Sequence, residues 1–105
     1  MVTYLWVRTD LPLADQMVQA AHAAQAAGAK WPVPPGCGLV LLAVSDKAGL
    51  AALERCAQAG IGTIRFHEPD QTGPGTGPMG HTALCSEPVP RSARRWFRNY
   101  RLWPG

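Results

Sequence analysis

The stretch VTYLWVRTDLPLADQMVQAAHAAQAAG, residues 2–28, decides the fold, because it joins a strand to a helix through a short turn. Residues 2–8 are rich in β-branched and aromatic side chains, which favour a strand. Thr9, Asp10 and Pro12 then end that strand. Residues 13–29 are rich in alanine and contain no proline, so they predict a helix. A strand followed by a helix is the first half of a βαβ unit.

The predicted helix has two distinct faces. The apolar face carries small side chains at i, i+4, i+7 and i+11, and we expect it to pack closely on a sheet. The polar face carries Asp15, Gln19 and His22 at i, i+4 and i+7. The apolar face consists of Met17, Ala21, Ala24 and Gly28.

Two more strands and a second helix follow in the next part of the chain. Residues 38–44 form a continuous apolar run, which is typical of a strand buried on both faces. Ser45 is a suitable N-cap for a helix over residues 46–59, which Gly60 would end. Residues 61–67 predict a third strand. Two βαβ units imply at least three parallel strands joined by right-handed crossovers.

The last third of the chain begins with many glycines and prolines, so residues 68–80 predict an irregular loop. Residues 81–86 predict a fourth strand, whose direction the sequence does not determine. Two prolines precede a final helix over residues 91–100. The element order is therefore β-α-β-α-β-β-α, which predicts an α/β fold and one domain over residues 1–105.

Composition excludes several classes of protein. The chain has 105 residues, of which 47% are apolar, which suffices for one core. It has no apolar run of eighteen residues and no basic, cleavable leader, so we expect no membrane span, no signal peptide and a cytoplasmic location. Three cysteines and three histidines show no zinc-binding spacing, so we expect reduced thiols and no metal site.

The basic charge of the chain lies entirely at its C-terminal end. The net charge is +3, but residues 1–90 carry five cations and seven acids, whereas residues 91–105 carry five arginines and no acid. In a helix, four of these arginines would share one face, with aromatic side chains on the opposite face. Guanidinium groups pair well with phosphates, so the pattern favours a nucleic-acid-binding surface, without identifying RNA; the alternative is a solvated face. The arginines are Arg91, Arg94, Arg95, Arg98 and Arg101.

The aromatic side chains of this end have two interpretations as well. Trp103 and the other tryptophans could stack on bases of a nucleic acid. Packing in the core is the alternative, and we expect it for Trp6 and Trp96 because large aromatic rings are usually buried.

Three segments of the chain resemble the type II peptidyl-tRNA hydrolases. They are VRTDL at residues 7–11, QAAHAA at residues 19–24 and EPDQT at residues 68–72. The end of the chain, residues 82–103, is similar to the divergent branch known as peptidyl-tRNA hydrolase domain-containing proteins. The resemblance implies a mixed four-stranded sheet between helices. It also implies tRNA as partner and hydrolysis of the ester between a peptidyl or N-blocked aminoacyl group and tRNA, without metal or cofactor.

The chain departs from that family at two positions. Asp15 stands where the family carries the lysine thought to be catalytic, and Glu68 stands where it carries an aspartate. The resemblance therefore predicts the fold more firmly than the activity. It leaves open a hydrolase of altered mechanism or a tRNA-binding adaptor that has lost catalysis, and it leaves open a monomer or a homodimer.

The candidate catalytic residues follow from the expected sheet, because sites in open α/β sheets gather at the carboxyl ends of the strands. Asp10 follows the first strand, and Glu68 and Thr72 follow the third. Ester hydrolysis needs a base for water and a donor for the oxyanion. Glu68 is the candidate base, Gln19 and Thr72 are candidate donors, and His22 is the candidate proton carrier.

Each of these residues also has a purely structural interpretation. His22 could be a buried, hydrogen-bonded histidine, and Gln19 a surface amide. Glu68 and Thr72 could cap a turn, and Asp15 could favour the helix N-terminus. A third functional hypothesis is a protein-interaction domain whose arginines meet an acidic partner.

Overall fold

The computed structural model describes residues 1–72 and 78–104, with the side chains of residues 46, 47, 50, 66–72 and 78–81 outside that description. Its four strands form one sheet. The elements, in chain order, are β1 (Val2–Arg8), α1 (Leu13–Lys30), β2 (Gly38–Val44), α2 (Asp46–Gln58), β3 (Thr63–Thr72), β4 (Pro78–Ser86) and a 3₁₀ helix (Arg91–Trp96).

The sheet is mixed, and its strand order is β2-β1-β4-β3. β1 runs parallel to β2, and β4 runs antiparallel to both β1 and β3. The first three strands therefore share one direction, which confirms the parallel strands expected from two βαβ units. β4 is inserted between β1 and β3 in the opposite direction. The predicted α/β fold with a mixed four-stranded sheet is confirmed.

Both faces of β1 are covered, which gives the molecule three layers. Leu5 and Val7 pack beneath the alanines of α1 on one face. Tyr4 and Trp6 point to the other face, where α2 and the C-terminal segment cover them. This alternation follows from the period of two along a strand. All seven residues of β1 are buried.

The apolar run in β2 is not buried on both faces, contrary to the sequence-based expectation. β2 is an edge strand, its last three residues alone are buried, and Leu39 is 53% exposed. The C-terminal tail covers part of its outer edge. The Ala43 amide donates to the Arg101 carbonyl at 2.9 Å, and the Trp103 amide donates to the Leu41 carbonyl at 2.9 Å. This pairing protects an edge that would otherwise be open to association.

The buried face of α1 is also different from the predicted one. Met17 is 58% exposed, and Ala21 and Gly28 are exposed as well. The side chains that face the sheet have the predicted spacing, but the set begins at Gln16 and not at Met17. The helix is therefore rotated about its axis by about 100° relative to the predicted orientation. Buried glutamines make this rotation possible because their amides find partners inside the protein. The buried residues are Gln16, Gln19, Ala20, Ala23 and Ala27.

The ends of α2 confirm the predicted caps. The Ala48 amide donates to the Ser45 hydroxyl at 3.2 Å. At the other end Gly60 has a φ of 73°, a left-handed conformation that glycine adopts without strain. The Ile61 amide donates to the Cys56 carbonyl at 2.8 Å, and the Gly60 amide donates to the Ala57 carbonyl at 3.2 Å. This pair of bonds is a Schellman motif.

The third and fourth strands are longer than predicted. β3 continues to Thr72 and β4 begins at Pro78, whereas we expected an irregular loop over residues 68–80. Residues 73–77 of that predicted loop lie outside the described residues. Glu68 and Thr72 are therefore positions within a strand. Pairing with β4 overrides the weak strand propensity of this proline-containing sequence.

The predicted final α-helix over residues 91–100 is wrong, because the chain forms a 3₁₀ helix that ends at Trp96. The Phe97 amide donates to the Arg94 carbonyl at 3.0 Å, three residues back. The Tyr100 amide likewise donates to the Phe97 carbonyl at 3.1 Å. Bonds of this spacing tighten the chain and bring Phe97 and Tyr100 against the core. Trp96 does not dock with them and is 41% exposed.

Two of the three cysteines, Cys56 and Cys85, are buried thiols. Burial raises the pKa of Cys56 and of Cys85 to about 12. Cys37 is partly exposed, and its Sγ lies 3.6 Å from the Thr3 hydroxyl.

None of the helices within residues 1–72 and 78–104 combines the length and the apolar character that a membrane span requires.

Candidate functional site

An ion pair marks the carboxyl end of β1. The buried Arg8 donates from Nε to Oδ1 of Asp10 at 3.0 Å, and its Nη2 donates to Oδ2 of the same carboxylate. The bond from Arg8 holds the pKa of Asp10 below its ordinary value, although partial burial acts in the other direction. Asp10 is therefore an ionised partner of Arg8 and a weak base. Asp10 lies after the first strand, as predicted, and its carboxylate is bonded to the Arg8 side chain.

A β-bulge brings β4 into contact with α1 at the same edge of the sheet. Phe66 pairs with Ala83 and His67 pairs with His81, which leaves Thr82 as one extra residue in β4. Ala83 already packs toward α1, so simple alternation would turn Thr82 away from the helix. The bulge re-aims it, and the Thr82 hydroxyl donates to Oε1 of Gln19 at 3.0 Å.

Gln19 is fully enclosed at this contact. It is 1% exposed, so a substrate in solvent does not reach its amide in this arrangement. The prediction that Gln19 belongs to a polar helix face is wrong, because Gln19 lies on the face of α1 that is buried against the sheet. Its bond to Thr82 gives it the part of a positioning residue, which fixes α1 against β4.

The backbone register places Glu68 close to this contact. Glu68 pairs with Gly80, two residues before Thr82, and Thr72 pairs with Pro78 further along the same hairpin. The backbones of α1, β4 and β3 therefore meet along one edge, which we call the rim: Arg8, Asp10, Gln19, Thr82 and the backbone at Glu68. The side chains of Glu68 and Thr72 lie outside the described residues, so their predicted roles remain predictions.

Asp15 and His22 lie beside Gln19 along the margin of α1. Asp15 is partly buried in the first turn of the helix, where a carboxylate interacts favourably with the helix dipole. His22 is exposed, two turns further along the helix. The interpretation of His22 as a buried histidine is thus wrong.

Gln16 is the residue of this region that the sequence did not reveal. Its Nε2 donates to the Leu11 carbonyl at 2.6 Å, and its Oε1 accepts from the Trp103 indole at 2.7 Å. It thereby links the turn after β1, the start of α1 and the C-terminal tail. The available signal was its spacing of four, seven and eleven residues from three alanines, which matches the buried face of the helix.

Four of the five arginines in residues 91–105 lie on the other side of the sheet from the rim. Arg91, Arg94, Arg95 and Arg98 are exposed and line an open groove of about 950 Å³, next to the residues of β1 and β2 that face away from α1. Arg101 belongs to the tail strand, where alternation puts it on the same side as Trp103, toward α1. The four arginines of the groove therefore lie apart from Arg101.

The tryptophans offer little surface for base stacking. The Trp103 indole bonds to Gln16 and packs in the core beneath α1. Trp6 is completely buried, as expected. Trp96 is exposed, but the Arg95 guanidinium lies over its ring at 5.4 Å from the centroid.

Comparison with known proteins adds no identification. No model of a protein family matches the chain, and a search of curated proteins finds no significant match. Among the described residues, no group of three or more histidine, cysteine or acidic side chains could hold a metal ion.

Replacing Asp10 by asparagine tests the ion pair at the rim. We expect the free energy of unfolding to fall by about 1 kcal/mol at neutral pH, a low value for a charge-assisted bond because Asp10 is partly exposed. Because the pKa of Asp10 is lowered in the folded protein, its contribution is lost as pH falls below about 4. Urea unfolding of wild type and Asp10→Asn should therefore converge in acid. A constant difference from pH 7 to pH 3 would contradict this account.

Proposed function

We propose that the chain acts on the ester end of charged tRNA, as a hydrolase of peptidyl- or N-blocked aminoacyl-tRNA with an altered mechanism. One observation carries the proposal. The bond from Thr82 to Gln19, together with the pairing of Glu68 with Gly80, brings the α1 glutamine and the β3 acid to the same edge. The resemblance to type II peptidyl-tRNA hydrolases requires this convergence.

The residues of the rim then divide into positioning and reacting groups. Gln19 and Thr82 fix α1 on β4, and Asp10 holds the Arg8 guanidinium at the end of β1. In this mechanism, His22 or Glu68 accepts a proton from the attacking water, and Thr72 donates a hydrogen bond to the oxyanion. The water oxygen bonds to the ester carbonyl carbon, the bond from that carbon to the ribose oxygen breaks, and the base returns its proton to the ribose oxygen. The tRNA ribose is left with its hydroxyl and the peptide with its carboxylate.

The RNA would be attracted by the cationic end of the chain. Arg101 is the arginine of the tail that lies on the α1 side, where it could meet a phosphate near the reacting end. The four arginines on the opposite face add to the positive field that draws a polyanion toward the protein. Binding of tRNA should therefore weaken steeply as salt rises.

Ester cleavage is the direct test of this function. Wild-type protein is incubated with N-acetylated aminoacyl-tRNA, and the loss of the acyl group is followed against buffer. We expect cleavage above buffer and a loss of at least about a hundredfold in kcat for His22→Ala or Glu68→Gln, which is the low end for a general base. Gln25→Ala, on the exposed side of the same helix, is the matched control. The absence of cleavage with intact tRNA binding would remove the hydrolase.

A second candidate function is a tRNA-binding adaptor without catalysis. Three observations favour it: Asp15 occupies the place of the family's lysine, Gln19 is enclosed, and Asp10 is engaged with Arg8. Asp15→Lys separates the two functions. Turnover that appears only in Asp15→Lys identifies an adaptor with a decayed site, whereas an active wild type excludes the adaptor.

A further inference from the structure

The groove on the face opposite α1 is a feature that the ester chemistry does not use. The floor of the groove is formed by apolar residues of β1 and β2, including Val2, Val40 and Leu42. The four exposed arginines surround this floor. Gln19 and Thr82, by contrast, meet on the α1 side of the sheet. The sheet separates the two regions, so the groove is available to a ligand of its own.

The charge of the groove selects an anionic ligand. Among the described side chains, none of Arg91, Arg94, Arg95 and Arg98 forms an ion pair, and residues 91–104 contain no acid. Burial raises the pKa of the Tyr4 phenol in the floor, while the nearby Arg94 and Arg91 act in the opposite direction, which places both guanidinium groups close to this part of the groove. Four cations around one concave surface repel each other, and carboxylates placed among them would relieve that repulsion.

The floor of the groove distinguishes between kinds of anion. The rings of Tyr4 and Phe97 are almost fully buried, and their centroids lie 4.6 Å apart, so each is already packed against the other. They leave no open ring face for a nucleobase, which needs one for stacking. Two aliphatic side chains of the lining remain accessible, since Val40 is half-buried and Leu102 is highly exposed at the margin. Tyr100 is half-buried as well, but the Arg55 guanidinium lies 5.9 Å from its ring centroid.

We infer that this groove binds a segment of a partner protein in which acidic and aliphatic residues are interspersed. Carboxylates pair with the arginines in two-point fashion, as guanidinium geometry favours. The aliphatic side chains lie against Val40, Leu42 and Leu102 and remove them from water. Arginine around an apolar patch is typical of such interfaces. This binding does not depend on ester hydrolysis at the rim.

Fluorescence anisotropy with designed peptides tests the inference. The probe is a short labelled peptide in which glutamates alternate with leucines, and its control carries serines at the leucine positions with the same charge. We expect saturable binding of the leucine peptide, with a Kd at least about tenfold lower than that of the serine peptide. Burying one leucine side chain contributes enough free energy for a tenfold change in Kd. A single-stranded RNA oligonucleotide of equal charge should displace the bound leucine peptide no better than the serine peptide does, whether or not RNA binds at the rim.

Variants on each part of the groove complete the test. Arg94→Ala combined with Arg98→Ala should weaken the leucine peptide at least about tenfold. Leu102→Ser should remove most of the preference for leucine over serine without unfolding the chain, because Leu102 is exposed. Lys30→Ala, which removes a cation at the far end of α1, is the control and should change nothing. Equal binding of the two peptides, displacement of the leucine peptide by RNA more effectively than by the serine peptide, or no saturable binding of the leucine peptide overturns the inference.

Discussion

Phe97→Ala is expected to lower the free energy of unfolding by about 3–5 kcal/mol, the range for truncating a buried phenylalanine. Phe97 is 2% exposed and holds the C-terminal segment on the sheet. Its ring lies 4.6 Å from that of Tyr4 and 5.1 Å from that of Trp6, so the substitution leaves a cavity among aromatic rings. Urea unfolding followed by circular dichroism measures the loss.

The neighbouring residue gives a matched control. Trp96 is larger than Phe97 but 41% exposed, and it belongs to no core cluster. Trp96→Ala should therefore cost less than about 1 kcal/mol, in line with most surface substitutions. If Trp96→Ala destabilised the chain as much as Phe97→Ala, the 3₁₀ helix would have to be docked in a different rotation.

The different burial of Trp96 and Phe97 follows from the kind of helix that residues 91–96 form. The sequence-based prediction assumed an α-helix, and the chain forms a 3₁₀ helix. An α-helix over residues 91–100 would bury Ala93, Trp96, Phe97 and Tyr100 together. Hydrogen bonds between residues three apart tighten the chain instead, and they bring in three of these residues while leaving Trp96 outside. Helical spacing in sequence does not distinguish the two kinds of helix when the segment is this short.

Other parts of the fold were accessible from the sequence because they depend on local chemistry. Ser45 and Gly60 cap α2 through their own hydroxyl and backbone freedom, which needs no knowledge of distant residues. The position of a strand within the sheet depends on partners that are remote in sequence. The run at residues 38–44 therefore predicted a strand correctly but gave no sign that it lies at an edge.

The candidate site follows the same division. Its place at the carboxyl end of β1 follows from the general behaviour of α/β sheets, and Asp10 lies there. The burial of Gln19 depends on a bulge that turns Thr82 toward the helix, and that bulge arises from the register of β3 on β4. No periodicity within α1 carries this information. The small alanines of α1 would allow the helix to pack on the sheet in more than one rotation. The buried hydrogen bonds of Gln16 and Gln19 select the observed rotation.

Gln16→Leu is expected to be the second most damaging change, with a loss of about 2–4 kcal/mol in the free energy of unfolding. Leucine has a similar size, so the cost comes from the Leu11 carbonyl and the Trp103 indole, which both lose their partner. Each buried polar group left without a hydrogen bond costs about 1–3 kcal/mol. Urea unfolding measures this loss.

Gln25→Leu makes the same substitution on the exposed side of α1 and should change stability by no more than about 0.5 kcal/mol. Trp103→Phe removes the indole donor while keeping an aromatic ring. In a double-mutant cycle, Gln16→Leu should therefore cost less in the Trp103→Phe background, because one of the two orphaned groups is already gone. Strict additivity would show that the tail is not fastened to α1 through Gln16. The register of residues 101–103 on β2, and with it the placement of Arg101 beside the rim, would then need another anchor.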